Sequence, residues 1–387
     1  LVAADVFVGH FFQPKVLALT HLFVLGCGVM IIFGASNQLI PVISEQKLYN
    51  EGVLPVLVLG LLTVGTALLV YSFWNFLFTW HTFTGVACIL SAILLHSLNL
   101  YSALKKAEEK AMLSLIKTAH VWLIFTAIIG SMLLVNFRFP FLSVNHLQYL
   151  KVHANIGMIG WFLQLIVGVS SKLIPMFLLC EEPKEKEVFR IYYGVNSGLV
   201  LFMINQVFFH SQLIYILAVL IVIMAIIFYG RYIYISYLHS IRKQLDNGMK
   251  QTRLSFAFLV LPSMLLLPLF IVGDMPANFS LAYGFSFFGG FVGTIVMAQT
   301  FKTLPFIVWM QSVDANVLPA KMPKDFFNEK LVRVQMLLYI AGLLPFVAGI
   351  VLKYSGLCYA GAVLMAVATS IYFIHVLLIV RKKFANV

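Results

Sequence analysis

Apolar residues run along this chain in long blocks separated by short polar breaks. Eleven blocks stand out, at roughly 16–44, 52–74, 76–104, 112–135, 148–179, 188–209, 211–239, 252–272, 279–310, 332–353 and 356–380. Each has about 20 residues or more, the length a helix needs to cross roughly 30 Å of hydrocarbon. The pattern predicts an all-α integral membrane protein. The links near Trp74 and His210 are short enough to require tight turns between antiparallel helices. The longer links, 105–117, 181–190, 237–253 and 311–333, are polar and charged. None is Gly/Ser-rich or acidic enough to mark an interdomain linker, so 1–387 is expected to be one membrane domain.

Composition supports this class. Hydrophobic residues make up 61% of the chain and charged residues 10%, and mean hydropathy is +0.98. A soluble domain could not bury so much apolar surface in one core. The net charge of +12 would suggest nucleic acid in a soluble protein. Here about twenty of the 26 basic residues fall on alternate loops, from 45–51 to the tail Arg381-Lys382-Lys383. The positive-inside rule then puts those loops and the C-terminus on the cytoplasmic side of a bacterial inner membrane. The expected partner is the lipid bilayer, and no nucleic acid. Residue 1 falls outside, and the chain starts at Leu1, so a signal peptide or first helix is expected to precede it. Cys27, Cys88, Cys180 and Cys358 are scattered and form no CxxC pair, which argues against a disulfide framework or zinc ribbon.

An internal repeat organises the blocks. GASNQLIP at 34–41, GVSSKLIP at 168–175 and AQTFKTLP at 298–305 read alike. Aligning their prolines also aligns Gln38, Lys172 and Lys302, and sets Gly160 opposite Gly290. The period is four helices, with units at roughly 1–104, 112–239 and 250–381. In the second and third units the proline-ended helix is the second of four; in the first unit it is the first visible. The expectation is three pseudo-symmetric four-helix arcs, with 11 transmembrane helices visible of an expected 12. Each proline can close its helix at the membrane face.

Two stretches, THLFVLGCGVMIIFGASNQLIPV (20–42) and VHANIGMIGWFLQLIVGVSSKLIPMF (152–177), carry a family resemblance. A weaker third is YGFSFFGGFVGTIVMAQTFKTLPFIVW (283–309). With the three-arc topology, the chain resembles subunit I of the haem-copper oxidase superfamily. It is similar to the divergent oxidase-subunit-I-like membrane proteins of Bacteroidetes-type bacteria. The resemblance implies that His21 matches a low-spin haem ligand and His153 a copper ligand. It also implies two haem-ligating histidines on the second helix of the third arc, where this chain has Tyr283 and Phe285. A His-His pair expected on the helix after His153 is absent from 188–209. Oxygen reduction at a complete haem-copper centre is therefore not expected.

His21 and His153 sit near the outer ends of apolar blocks, where an imidazole needs a partner. Three readings stand. In the first, the two ligate one haem jointly across facing helices. In the second, each binds a cofactor or copper with an outer histidine such as His10, His81 or His146. In the third, both are interhelical hydrogen-bonding residues. His146 and His153 are seven apart, but His146 follows Pro140 and is expected in a loop. His96 and His120 flank a link and are read as structural. No block interior holds a carboxylate, which counts against a proton pump and an acid-driven antiporter. Lys172 and Lys302 are expected to snorkel to the interface.

The leading expectation is a haem-binding, haem-copper-oxidase-like membrane protein engaged in electron transfer or in nitric oxide or oxygen handling. Its donor would be a c-type cytochrome or another membrane subunit. The alternative is a cofactor-free structural or assembly subunit, or a transporter of haem, metal or small solute.

Overall fold

A backbone in lipid has no water to bond with, so each apolar block must satisfy its own amides and carbonyls as a helix. The computed structural model describes residues 4–108, 110–142, 145–181, 184–242, 244–272, 275–314 and 322–384. Among these residues there is no strand. Eleven helices are long and apolar enough to span a membrane: α1 (Pro14–Ser44), α2 (Val53–Asn75), α3 (Trp80–Leu104), α4 (Ala111–Arg138), α5 (His146–Leu178), α6 (Glu185–Phe209), α7 (Gln212–Leu238), α8 (Asn247–Ile271), α9 (Ala277–Met310), α10 (Glu329–Leu352) and α11 (Ser355–Arg381). Each coincides with one of the eleven apolar blocks. The chain is an all-α, multi-pass membrane protein. The segment 315–321 of the link predicted at 311–333 lies outside the described residues, as do the side chains of Lys382 and Lys383.

The helices form two compact units, one of residues 17–243 and one of residues 1–16 with 244–387. In the first, α5 is the central helix: 78% of its apolar window is buried, against 33% for α1 and 17% for α7. In the second, α9 takes that place at 72%. There Phe7, in the short 3-10 turn Ala4–Val8, packs edge-on against Phe285 at 5.8 Å and Phe346 at 5.2 Å.

Antiparallel neighbours approach through glycine. A β-carbon on Gly65 of α2 would lie 2.8 Å from the Gly85 carbonyl of α3. One on Gly361 of α11 would lie 2.5 Å from the Gly342 carbonyl of α10. Helix association in lipid relies on such van der Waals approach, because lipid tails are as apolar as the side chains themselves.

The local geometry of the proline-bearing helices recurs. Each of α1, α5 and α9 widens into a π-helical segment, at Val24–Val29, Ile156–Leu163 and Ser286–Val292 respectively. Each then carries an internal proline, Pro41, Pro175 or Pro305. The prolines do not close their helices as expected. The helix runs on to Ser44 in α1 and to Leu178 in α5, and past Pro305 to Met310 in α9. A proline near a helix end gives up one amide bond, which surrounding helices can compensate. The ends of α1 and α5 are instead the left-handed residues Glu45 and Leu179, both at φ 54°. Left-handed residues also end α2 (Phe76, φ 51°), α6 (His210, φ 51°) and α10 (Lys353, φ 53°). Phe76 and His210 provide the tight turns expected there. At Phe76 the reversal is fixed by amide bonds from Phe76 to Phe73 O at 3.1 Å and from Leu77 to Ser72 O at 2.9 Å.

One local expectation differs from the structure. His146, expected in a loop, opens α5. Asn145 caps the helix by accepting from the Leu147 amide at 3.0 Å, which lets it begin well after Pro140. Lys302 forms an ion pair with Asp246, on the polar link before α8, whose carboxylate also caps α8 through the Met249 amide at 2.9 Å.

Candidate functional site

In the 17–243 unit, α1, α2, α4 and α5 bring together the residues around His21 and His153. His21 lies one turn after Leu17, and its Nδ1 is 2.8 Å from the Leu17 carbonyl. The His153 Nδ1 reaches across to α4, 2.9 Å from the Thr126 carbonyl. A carbonyl can only accept, so each Nδ1 carries the proton and donates it. Each Nε2 is then left with a bare lone pair, the form in which a neutral imidazole binds metal.

Gly130 makes the His153 contact possible. It sits one helical turn beyond Thr126, and a β-carbon there would lie 2.7 Å from His153 Cε1 and 3.1 Å from Nδ1. Only a glycine lets the ring lie against α4 and reach the Thr126 carbonyl. On the other side, Phe73 of α2 faces the His21 ring at 4.9 Å.

The ring centres of the two imidazoles lie 6.2 Å apart, with planes 19° from parallel. That is too wide for ring contact, which needs roughly 4 Å. A metal ion roughly 2.0 Å from each of two imidazole nitrogens, with each ring centre roughly 1.2 Å beyond, separates the centres by roughly 6.4 Å. The observed pair matches that span.

Two protein nitrogens do not fill the coordination shell of a bare zinc, iron or Cu(II) ion. Among the described residues, no group of three or more His, Cys, Asp or Glu is placed to hold a metal. A haem brings four equatorial nitrogens of its own and asks the protein only for axial ligands. The donor set therefore fits haem and is too small for zinc, iron or Cu(II) alone.

The other residues singled out from the sequence lie elsewhere. His10, in the 1–16 segment, accepts from the Phe12 amide at 3.0 Å and stacks on Phe11 at 4.3 Å. His81, at the start of α3, meets the Thr79 hydroxyl at 3.0 Å and stacks on Trp80 at 3.8 Å. His146 sits two turns from His153 on α5, with Asn136 Nδ2 3.2 Å from its Nδ1. Tyr283 lies on α9 in the other unit, half-buried against a cluster that includes Phe258, Leu343 and Phe346. Its neighbour Phe285 stacks on Phe346 at 4.4 Å. Where the family resemblance implies histidines, the side chains here are packed aromatics.

His21, His153 and Tyr283 nonetheless occupy one structural position. Each lies three residues before the π-helical segment of its helix. Such segments often mark functional sites, because the extra residue re-aims the side chains on either side. Sequence reasoning missed Thr126, Gly130 and Phe73, which carry no signal of their own within long apolar spans. Comparison with protein-family models and with curated protein sequences finds no match.

Proposed function

We propose that this protein is a haem-binding electron-transfer protein of the membrane, related to subunit I of the haem-copper oxidases, in which His21 and His153 would hold one haem. The observation that carries the reading is the His21–His153 geometry: near-parallel rings 6.2 Å apart, each with Nδ1 engaged by a backbone carbonyl. The two carbonyls fix the tautomer and leave both Nε2 atoms as acceptors, as outer-shell partners do for ligating histidines. When bound, the haem supplies one-electron chemistry at its iron. With both histidines holding the group, it would serve electron transfer rather than nitric oxide or oxygen binding.

The charge bias of the loops supports placing the pair toward the outer face of a bacterial inner membrane, with the C-terminus cytoplasmic. A c-type cytochrome or another membrane subunit could exchange electrons with it there.

The test is a reduced-minus-oxidised visible spectrum of detergent-purified protein, with haem extracted and quantified from the same sample. The expected result is a low-spin Soret band at about one haem per chain, abolished in His21→Ala and in His153→Ala. A folded, iron-free and colourless wild-type protein would overturn the reading and favour the structural or transport role.

A further inference from the structure

The same unit holds a second histidine pair that the haem reading does not use. His96 of α3 and His120 of α4 have ring centres 5.8 Å apart and planes at 37°. Unlike His21 and His153, both are sealed: His96 is 2% exposed and His120 6%. The Nε2 atoms of both are buried and have no hydrogen-bond partner. His120 Nδ1 is 2.8 Å from the Ile116 carbonyl, so its proton is on Nδ1 and its Nε2 is a bare lone pair. Phe33 of α1 covers one face of His96 at 3.6 Å, with planes 14° apart.

Two unpartnered ring nitrogens inside an apolar bundle are costly, at roughly 1–3 kcal/mol each. Something small should satisfy them, and the sealing decides its size. A macrocycle would need an open slot, whereas nitrogens closed to solvent call for a partner no larger than an ion or a water. A shared proton would draw the ring centres to roughly 5.2 Å, and no hydrogen bond links the pair. An ion roughly 1.9–2.0 Å from each nitrogen gives roughly 6.3 Å when the three atoms are in line, and less when bent. The observed 5.8 Å falls in that range.

Chemistry narrows the ion. Zinc and the other divalent metals need further donors, and no third His, Cys, Asp or Glu joins this pair among the described residues. Cu(I) is satisfied by two imidazole nitrogens. It also carries a single charge, and the cost of a buried ion rises with the square of its charge. We infer that His96 and His120 form a buried two-coordinate site for a cuprous ion, distinct from the His21–His153 pair. This inference does not depend on the haem reading.

The test uses full-length protein in detergent, stripped with a chelator and titrated anaerobically with Cu(I) against a colorimetric Cu(I) competitor. The expected result is about one tightly held Cu(I) per chain, with an X-ray absorption edge of low-coordinate, nitrogen-ligated Cu(I). His96→Gln and His120→Gln, which roughly keep side-chain volume, should each lower the affinity at least tenfold. They should also abolish a Cu(I)-induced rise in unfolding temperature. Cu(I) should still bind His21→Ala and His153→Ala, whether or not those variants lose a Soret band. Three results would overturn the inference: no Cu(I) held by folded wild type, leaving water as the bridge; equal Cu(I) affinity in both Gln variants; or Cu(I) lost with His21 or His153.

Discussion

Gly130→Ala is the most direct probe of how α4 holds His153. The new methyl would lie 2.7 Å from His153 Cε1 and 3.1 Å from Nδ1. Ordinary contact begins near 3.4 Å, so the ring must move by roughly 0.7 Å or more. That movement breaks or bends the 2.9 Å bond from Nδ1 to the Thr126 carbonyl. Overpacking of this kind costs roughly 1–3 kcal/mol, and the hydrogen bond contributes roughly 1 kcal/mol more. The expected loss of stability is therefore about 2–4 kcal/mol, read as the shift of the unfolding midpoint in an SDS titration. His153→Ala removes the ring and creates the space that the methyl would occupy. The double variant Gly130→Ala/His153→Ala should thus be more stable than the sum of the two single losses by about the Gly130→Ala loss itself, roughly 2–4 kcal/mol. Gly34→Ala is the control, because no atom lies within 4 Å of a β-carbon there; it should be neutral or slightly stabilising. Additivity of the Gly130 and His153 variants within roughly 0.5 kcal/mol would refute the argument, because the methyl and the ring would then not share one space.

Two further outcomes follow from packing and capping. Gly361→Ala sets a methyl 2.5 Å from the Gly342 carbonyl and 2.8 Å from the Phe346 amide nitrogen, both backbone atoms that cannot swing away. It should destabilise by roughly 3 kcal/mol or more, and a midpoint within roughly 1 kcal/mol of wild type in the same titration would show that the α10–α11 contact is looser than described. Asp246→Ala removes both the cap on the Met249 amide and the ion pair with Lys302, whereas Lys302→Met removes the pair and leaves the cap. Asp246→Ala should cost more by roughly 1 kcal/mol, the worth of the cap, and equal losses in the two variants would contradict that division.

The eleven spans were legible in the sequence because the cost of exposing polar groups to lipid is local. Each block of apolar residues must become a helix whatever it later packs against. The recurrence of Pro41, Pro175 and Pro305 was legible for the same reason, as a string on a periodic hydropathy pattern. The equivalence of His21 with His153 was not. Aligned on the prolines, His21 falls opposite Asn155, and His153 opposite Leu19. In the structure both histidines precede the π-helical segment by three residues, and those segments have six residues in α1 and eight in α5. The two-residue difference in register is absorbed inside the widened turns. Where a helix widens depends on what its flanks pack against, so no local string reveals it. The same holds for Gly130 and Thr126, which become part of a site only because α5 lies against α4, and for His96 and His120. Those two look like link-flanking residues along the chain, and only the packing of α3 against α4 brings their ring centres within 5.8 Å in a buried interior.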